Sequence, residues 1–131
     1  QAFDYAIANP FRGVGLGNWK FKSIEYDSLN INGYIVPYHV HNDFLEIMVE
    51  LGIFGLFSYL FIFLFAVFVL FNFYKNSLSL DDFQVFLCLS IFLVVYFVDA
   101  NLNFPHARLI QQVLLAFFLS YMVNLSIIKK D

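Results

Sequence analysis

Charge is scarce in this chain. Only 13% of its residues are Asp, Glu, Lys or Arg, against roughly a quarter in soluble domains. The seven basic residues are scattered and the net charge is −3, which excludes a nucleic-acid surface of the kind that interleaves a basic patch with aromatics. Cysteine is nearly absent as well. The single Cys88 rules out an internal disulfide and any multi-cysteine metal site, and its place inside an apolar run reads as a small buried or lipid-facing hydrophobe. There is no initiator Met, charged leader or cleavage site before the polar loop, so no targeting segment is read, and the chain is expected to be the C-terminal part of a larger protein. No internal repeat or low-complexity tract is present.

What is abundant is apolar surface. The chain is 61% hydrophobic and 21% aromatic, with 19 Phe, more than a soluble domain of 131 residues can hide without large exposed patches. Lipid accepts such side chains all round a helix. Residues 51–74 carry no charge and reach about 36 Å at ~1.5 Å rise per residue, enough to cross a hydrocarbon core of roughly 30 Å. A short polar link follows, with Asp81 and Asp82 placed in the first turn of the next helix, where carboxylates favour the positive dipole end. Spans are expected at 51–74, 83–100 and 109–128. Asp99 is expected to face protein or water, because a carboxylate in hydrocarbon is costly. The fold class is therefore an all-α polytopic membrane protein with three transmembrane helices, and residues 1–50 form an external loop leading into the first helix. Lys75, Lys129 and Lys130 fall on one side of the membrane. By the positive-inside rule that side is cytoplasmic, and the two histidine-bearing segments face outward.

Residues 1–38 cannot span a bilayer. Residues 3–8 read as a helix end stopped by Asn9-Pro10, followed by loop with short extended pieces around Phe21 and Ile35. The run Gly13-Val14-Gly15-Leu16-Gly17 lacks the strand, helix and acidic residue of a dinucleotide fingerprint and the Gly-Lys-Ser/Thr of a phosphate loop. It is read as a tight solvent-side turn in preference to an anion site. At the start of the first span, Gly52, Gly55 and Ser58 recur every three residues, a small-residue face open to close approach by another helix.

Chemistry concentrates just before that span, in His39-Val40-His41-Asn42-Asp43. Asp43 with Glu46 has the form of a helix start, Asp43 capping and Glu46 reaching back to free N–H groups. His41 then stands before the first turn, where an imidazole with a reference pKa near 6.5 can accept a proton from an attacking sugar hydroxyl. Against this stands the reading of His41 as an interfacial polar residue satisfied by backbone. His39, His41 and Asp43 also admit a His-x-His metal reading, weakened because no third His or Cys follows at ligand spacing. Glu46 and Glu50 share a helix face, read as solvated in preference to a paired-carboxylate site.

The spacing His41-Asn42, nine residues, Gly52, two residues, Gly55 resembles the motif of the O-antigen ligase and polymerase superfamily. Residues 9–19, from Asn9-Pro10-Phe11-Arg12 to Asn18-Trp19, are similar to the loop that precedes this motif in the family. Asn103-Phe104-Pro105-His106-Ala107-Arg108 resembles the segment between the family's next two spans.

The resemblance implies a helical bundle of the GT-C type, in which a membrane glycosyltransferase passes a glycan from a polyprenyl-diphosphate carrier to an acceptor hydroxyl. It implies His41 as general base, with Asn42 holding the loop or the acceptor. Arg108, Arg12 and His106 are the implied substrate and diphosphate contacts, and Gly52, Gly55 and Asp43 are structural residues of the motif. No cofactor and no metal is implied if arginines neutralise the departing diphosphate. The implied partners are the lipid-linked donor, membrane lipid, and a lipid A core, glycan or protein acceptor, in a bacterial inner membrane with the catalytic loop facing the periplasm. The 131 residues alone are expected to be inactive. The alternative is a transporter or binding component for lipid-linked glycans.

Overall fold

A computed structural model describes residues 1–27, 39–76 and 79–128; Ile35, Lys129 and Lys130, used above, lie outside the described residues. The described residues are helical with no strand: α1 (Ala2–Ala8), α2 (Trp19–Asp27), α3 (Asp43–Asn76), α4 (Leu80–Leu102), a single 3-10 turn at Pro105–Ala107, and α5 (Leu109–Ile128). Phe21 lies within α2, so the extended piece expected there is instead helix. Asn18 starts it, its carbonyl accepting from the Phe21 and Lys22 amides at 3.1 Å each.

α1 ends where Asn9 turns back, its amide bonded to the Tyr5 carbonyl at 2.9 Å, because Pro10 cannot extend the ladder. α4 starts on Ser79, whose hydroxyl accepts the Asp82 amide at 3.1 Å, with Asp81 and Asp82 in the first turn. Three helices, Asp43–Lys75, Leu80–Leu102 and Leu109–Ile127, are long and apolar enough to cross a membrane.

The chain forms two compact units. The first comprises Gln1–Leu60 with Ala100–Phe104. Its core is Tyr5, Ala6, Trp19 and Val49, with Val14, Val40, Leu45 and Met48 packed against it. The Tyr5 and Trp19 rings meet at 6.1 Å, so the short helix α1 and the start of α2 are held by aromatic burial more than by their own length.

The second unit comprises Phe61–Asp99 and Pro105–Asp131. Buried residues recur at helical spacing, Phe63, Ala66, Leu70 and Phe73 on α3 and Leu89, Leu93 and Tyr96 on α4. Rings carry the packing: Phe63 meets Phe97 edge-on at 5.3 Å, and Phe92 of α4 stacks on Phe118 of α5 at 4.1 Å. The outward faces are equally apolar, with Phe61, Leu64, Phe68, Val94, Val95 and Phe117 all exposed, the pattern of helices solvated by lipid. Asp99 faces protein, accepting from Gln111 Nε2 at 3.0 Å.

Candidate functional site

The site is built on a break in α3. Gly52 has φ 72° and ψ −168°, a backbone state open in practice only to glycine, so α3 is two helices, 43–51 and 53–76, joined by one non-helical residue. A break leaves backbone groups without helical partners, and inside a membrane-crossing helix these must be met by protein. The loop after α1 meets them. Ile53 N donates to the Pro10 carbonyl at 2.8 Å, Val14 N donates to the Val49 carbonyl at 3.0 Å, and Gly15 N donates to the Glu50 carbonyl at 2.8 Å. The approach is close on both sides. A Cβ on Gly13 would lie 2.1 Å from the Glu50 carbonyl oxygen, and one on Gly52 would lie 2.8 Å from that of Phe11.

The motif glycines therefore do other work than expected from their spacing. Gly52 docks a loop, not a neighbouring helix, and Gly55 makes room for Leu51, whose Cβ would stand 2.3 Å from a Cβ at 55. Ser58, the third member of the supposed small-residue face, is exposed and bonds the Phe54 carbonyl of its own helix at 2.8 Å.

The glycine run is likewise more than a solvent-side turn. Gly17 N donates to Glu50 Oε2 at 2.8 Å and Trp19 N donates to Glu50 Oε1 at 3.2 Å. The run does cradle an anion, and that anion is the chain's own carboxylate. Glu46, one turn earlier, accepts from Val40 N at 2.8 Å through Oε2 and from His39 Nδ1 at 2.8 Å through Oε1. Both glutamates are buried, 3% and 4% exposed, which overturns the reading of a solvated face. Each carboxylate pins one polar loop to the segment 43–51, and each has both oxygens occupied.

Asn42, not Asp43, caps α3. Its Oδ1 accepts the Leu45 amide at 2.9 Å, and its Nδ2 donates to the Asn101 carbonyl at 3.2 Å. Asp43 is fully buried inside the first turn and accepts from the Tyr59 hydroxyl at 2.8 Å, across the Gly52 break. Glu46 does reach back, as a capping box would, but past the cap to Val40.

His41 is exposed, with φ 58°, the one non-glycine in the left-handed region among the described residues. Histidine is among the few side chains that tolerate this state, and such strain gathers at working sites. Its ring stands edge-on to Phe104 at 5.1 Å, while His39 stacks flat on the same ring at 4.2 Å. The two rings thus share one aromatic support, and His39 is turned to Glu46. Asp43 is turned to Tyr59, so the three residues of the His-x-His reading do not converge, and no group of three or more metal-ligating side chains forms among the described residues.

Arg12 is exposed on the docked loop and forms no ion pair among the described residues. His106 and Arg108 belong to the second unit. The His106 carbonyl accepts from Gln112 Nε2, and exposed Arg108 leads into α5 with its amide bonded to the Pro105 carbonyl at 3.0 Å. Phe104 and Tyr59 are site residues that spacing did not single out, and Glu46 and Glu50, singled out by spacing, were read there as a solvated face. The partners of Phe104, Tyr59 and Glu50 lie far along the chain, whereas Glu46 meets His39 and Val40 only a few residues before it.

These features define an all-α membrane protein with a histidine-bearing polar loop clamped to the start of its first long helix. The family model described as O-antigen ligase matches residues 1–60, so this part of the chain is similar to that family. No curated protein and no solved structure matches the chain. The matched segment contains the loop, the cap, His41 and the Gly52 break, and the match supports a glycan-handling function at a membrane.

Proposed function

We propose that the protein acts as a membrane glycosyltransferase of the O-antigen ligase or polymerase type, with His41 as its general base. The observation that carries this reading is the setting of His41: an exposed imidazole on a left-handed residue, fixed by the adjacent Asn42 cap and braced on Phe104. A strained residue held by so many neighbours is a position whose geometry the fold maintains.

In the proposed reaction the acceptor hydroxyl oxygen attacks the anomeric carbon of a glycan linked to a polyprenyl diphosphate. A new C–O bond forms as the bond to the diphosphate oxygen breaks, inverting the anomeric centre, and the hydroxyl proton passes to the imidazole. The diphosphate is already a good leaving group, so the protein's share is to orient the acceptor, take its proton and neutralise charge. Arg108 and Arg12 are assigned that last role, because guanidinium groups pair well with phosphate oxygens, and His106, in the same polar turn as Arg108, is assigned a substrate contact. The reading assigns no metal and places the site on the periplasmic face of a bacterial inner membrane.

His41→Ala in the full-length protein is expected to abolish glycan transfer while membrane expression persists. Near-normal transfer by that variant would sink the mechanism. Transfer from purified donor to acceptor without other proteins also separates an enzyme from a transporter, which would form no new glycosidic bond.

A further inference from the structure

Beside the His41 loop, Gly17, Lys20, His39, Glu46 and Glu50 line an open cleft of about 330 Å³, within the range of small-ligand sites. Its chemistry is specific. A carboxylate can only accept, so the 2.8 Å contact between His39 and Glu46 requires His39 Nδ1 to donate, and the neutral ring then keeps its lone pair on Nε2. His39 makes no other hydrogen bond among the described residues, and stacking on Phe104 fixes the plane of the ring. Lys20 is exposed at the same cleft and supplies donors. Glu46 and Glu50 have all four oxygens engaged, yet they leave two negative charges at the wall against one ammonium. Such a wall repels a diphosphate. It suits a neutral ligand rich in hydroxyl groups, which can donate to Nε2 and accept from an ammonium.

We propose that this cleft is a subsite for the acceptor glycan, in which His39 Nε2 accepts a hydrogen bond from one sugar hydroxyl and Lys20 donates to a neighbouring sugar oxygen. Glu46 acts through His39 as a positioning residue. This rests on the glycan-transfer reading but not on the role of His41.

The test is a transfer assay with the detergent-purified full-length protein, varying donor and acceptor separately, together with titration of the donor-free protein with oligosaccharides released from the host's own envelope and with inorganic pyrophosphate. Losing a hydrogen bond to a neutral ligand is worth about three- to tenfold, so His39→Ala and Lys20→Met should each raise the acceptor KM by that factor and leave the donor KM within about twofold. Lys20 is exposed, so Lys20→Met tests the subsite even if His39→Ala does not fold. Oligosaccharide binding should weaken in the same two variants, persist in His41→Ala, and survive saturating pyrophosphate. The proposal is overturned if folded variants leave the acceptor KM unchanged, if the donor KM rises instead, or if pyrophosphate displaces the oligosaccharide. If wild-type protein shows no transfer, the glycan-transfer reading fails, and the titration arm alone decides whether the cleft binds a sugar.

Discussion

Asp43 and Tyr59 stand on opposite sides of the Gly52 break, and the 2.8 Å hydrogen bond from the Tyr59 hydroxyl to the Asp43 carboxylate joins the two halves of α3. Both side chains are buried, and Phe44 lies against the Tyr59 ring at 5.2 Å. A bond to a buried charged group is worth about 1.5–3 kcal/mol, so Tyr59→Phe is expected to destabilise the protein by that order while keeping the ring contact. Thermal unfolding in detergent measures it. An unchanged melting temperature would mean that the break is held by the backbone bonds alone.

Gly52→Ala should be among the most damaging single changes in the chain. The φ of 72° with extended ψ costs a non-glycine residue about 1–3 kcal/mol, and the new Cβ would meet backbone of Phe11 and Pro10 that cannot rotate away. Gly13→Ala meets the Glu50 carbonyl even more closely but at a permitted φ, so it probes the docking of the loop without the backbone strain. Both variants should show faster proteolysis of residues 9–18 than wild type.

Glu50 tests the loop from the other side. Glu50→Ala strips the acceptors from Gly17 N and Trp19 N, whereas Glu50→Gln keeps one carbonyl oxygen. Amide hydrogen exchange at Gly17 and Trp19 is therefore expected to accelerate strongly in Glu50→Ala and partially in Glu50→Gln. Equal exchange in both variants would show that the backbone bonds of Val14 and Gly15 suffice to hold the loop.

The spans and the stop at Asn9-Pro10 were legible because they depend on local composition: hydrophobic length, charge-free runs and a proline that ends a helix. The roles of Glu46 and Glu50 were not. At four-residue spacing on one helix they look like any solvated pair, and what makes them buried anchors is a loop more than thirty residues earlier for Glu50. Gly52 was legible as a motif residue, but its helix-breaking φ was not, because a glycine inside a long apolar run reads equally well as a packing notch. The capping assignment slipped by one residue for a similar reason. Asn42 and Asp43 are both good caps, and only the burial of Asp43 against Tyr59, sixteen residues on, decides between them.

Asn42 joins two tasks, capping α3 and tying it to Asn101. Asn42→Asp keeps an acceptor for Leu45 N but loses the donor to Asn101, whereas Asn42→Ala loses both. A cap is worth about 1 kcal/mol, so the alanine variant should melt below the aspartate variant. Should transfer fall equally in both, the tie to Asn101 is what the site needs.

His41 allows stability and chemistry to be separated. At helical or extended positions alanine is the better substitute for stability, but at φ 58° it suffers a Cβ clash worth about 1–2 kcal/mol that glycine escapes. The expected order is therefore reversed here, with His41→Gly melting above His41→Ala. Both variants lack the imidazole, and general-base catalysis accounts for about 10²- to 10⁴-fold of a rate, so both should lose transfer to a similar extent despite their different stabilities. A variant pair that differs in melting temperature but not in residual transfer would tie the loss to the missing base. If His41→Ala melts higher, the left-handed backbone is absent from the working protein, and the strain at His41 ceases to be an argument for its function.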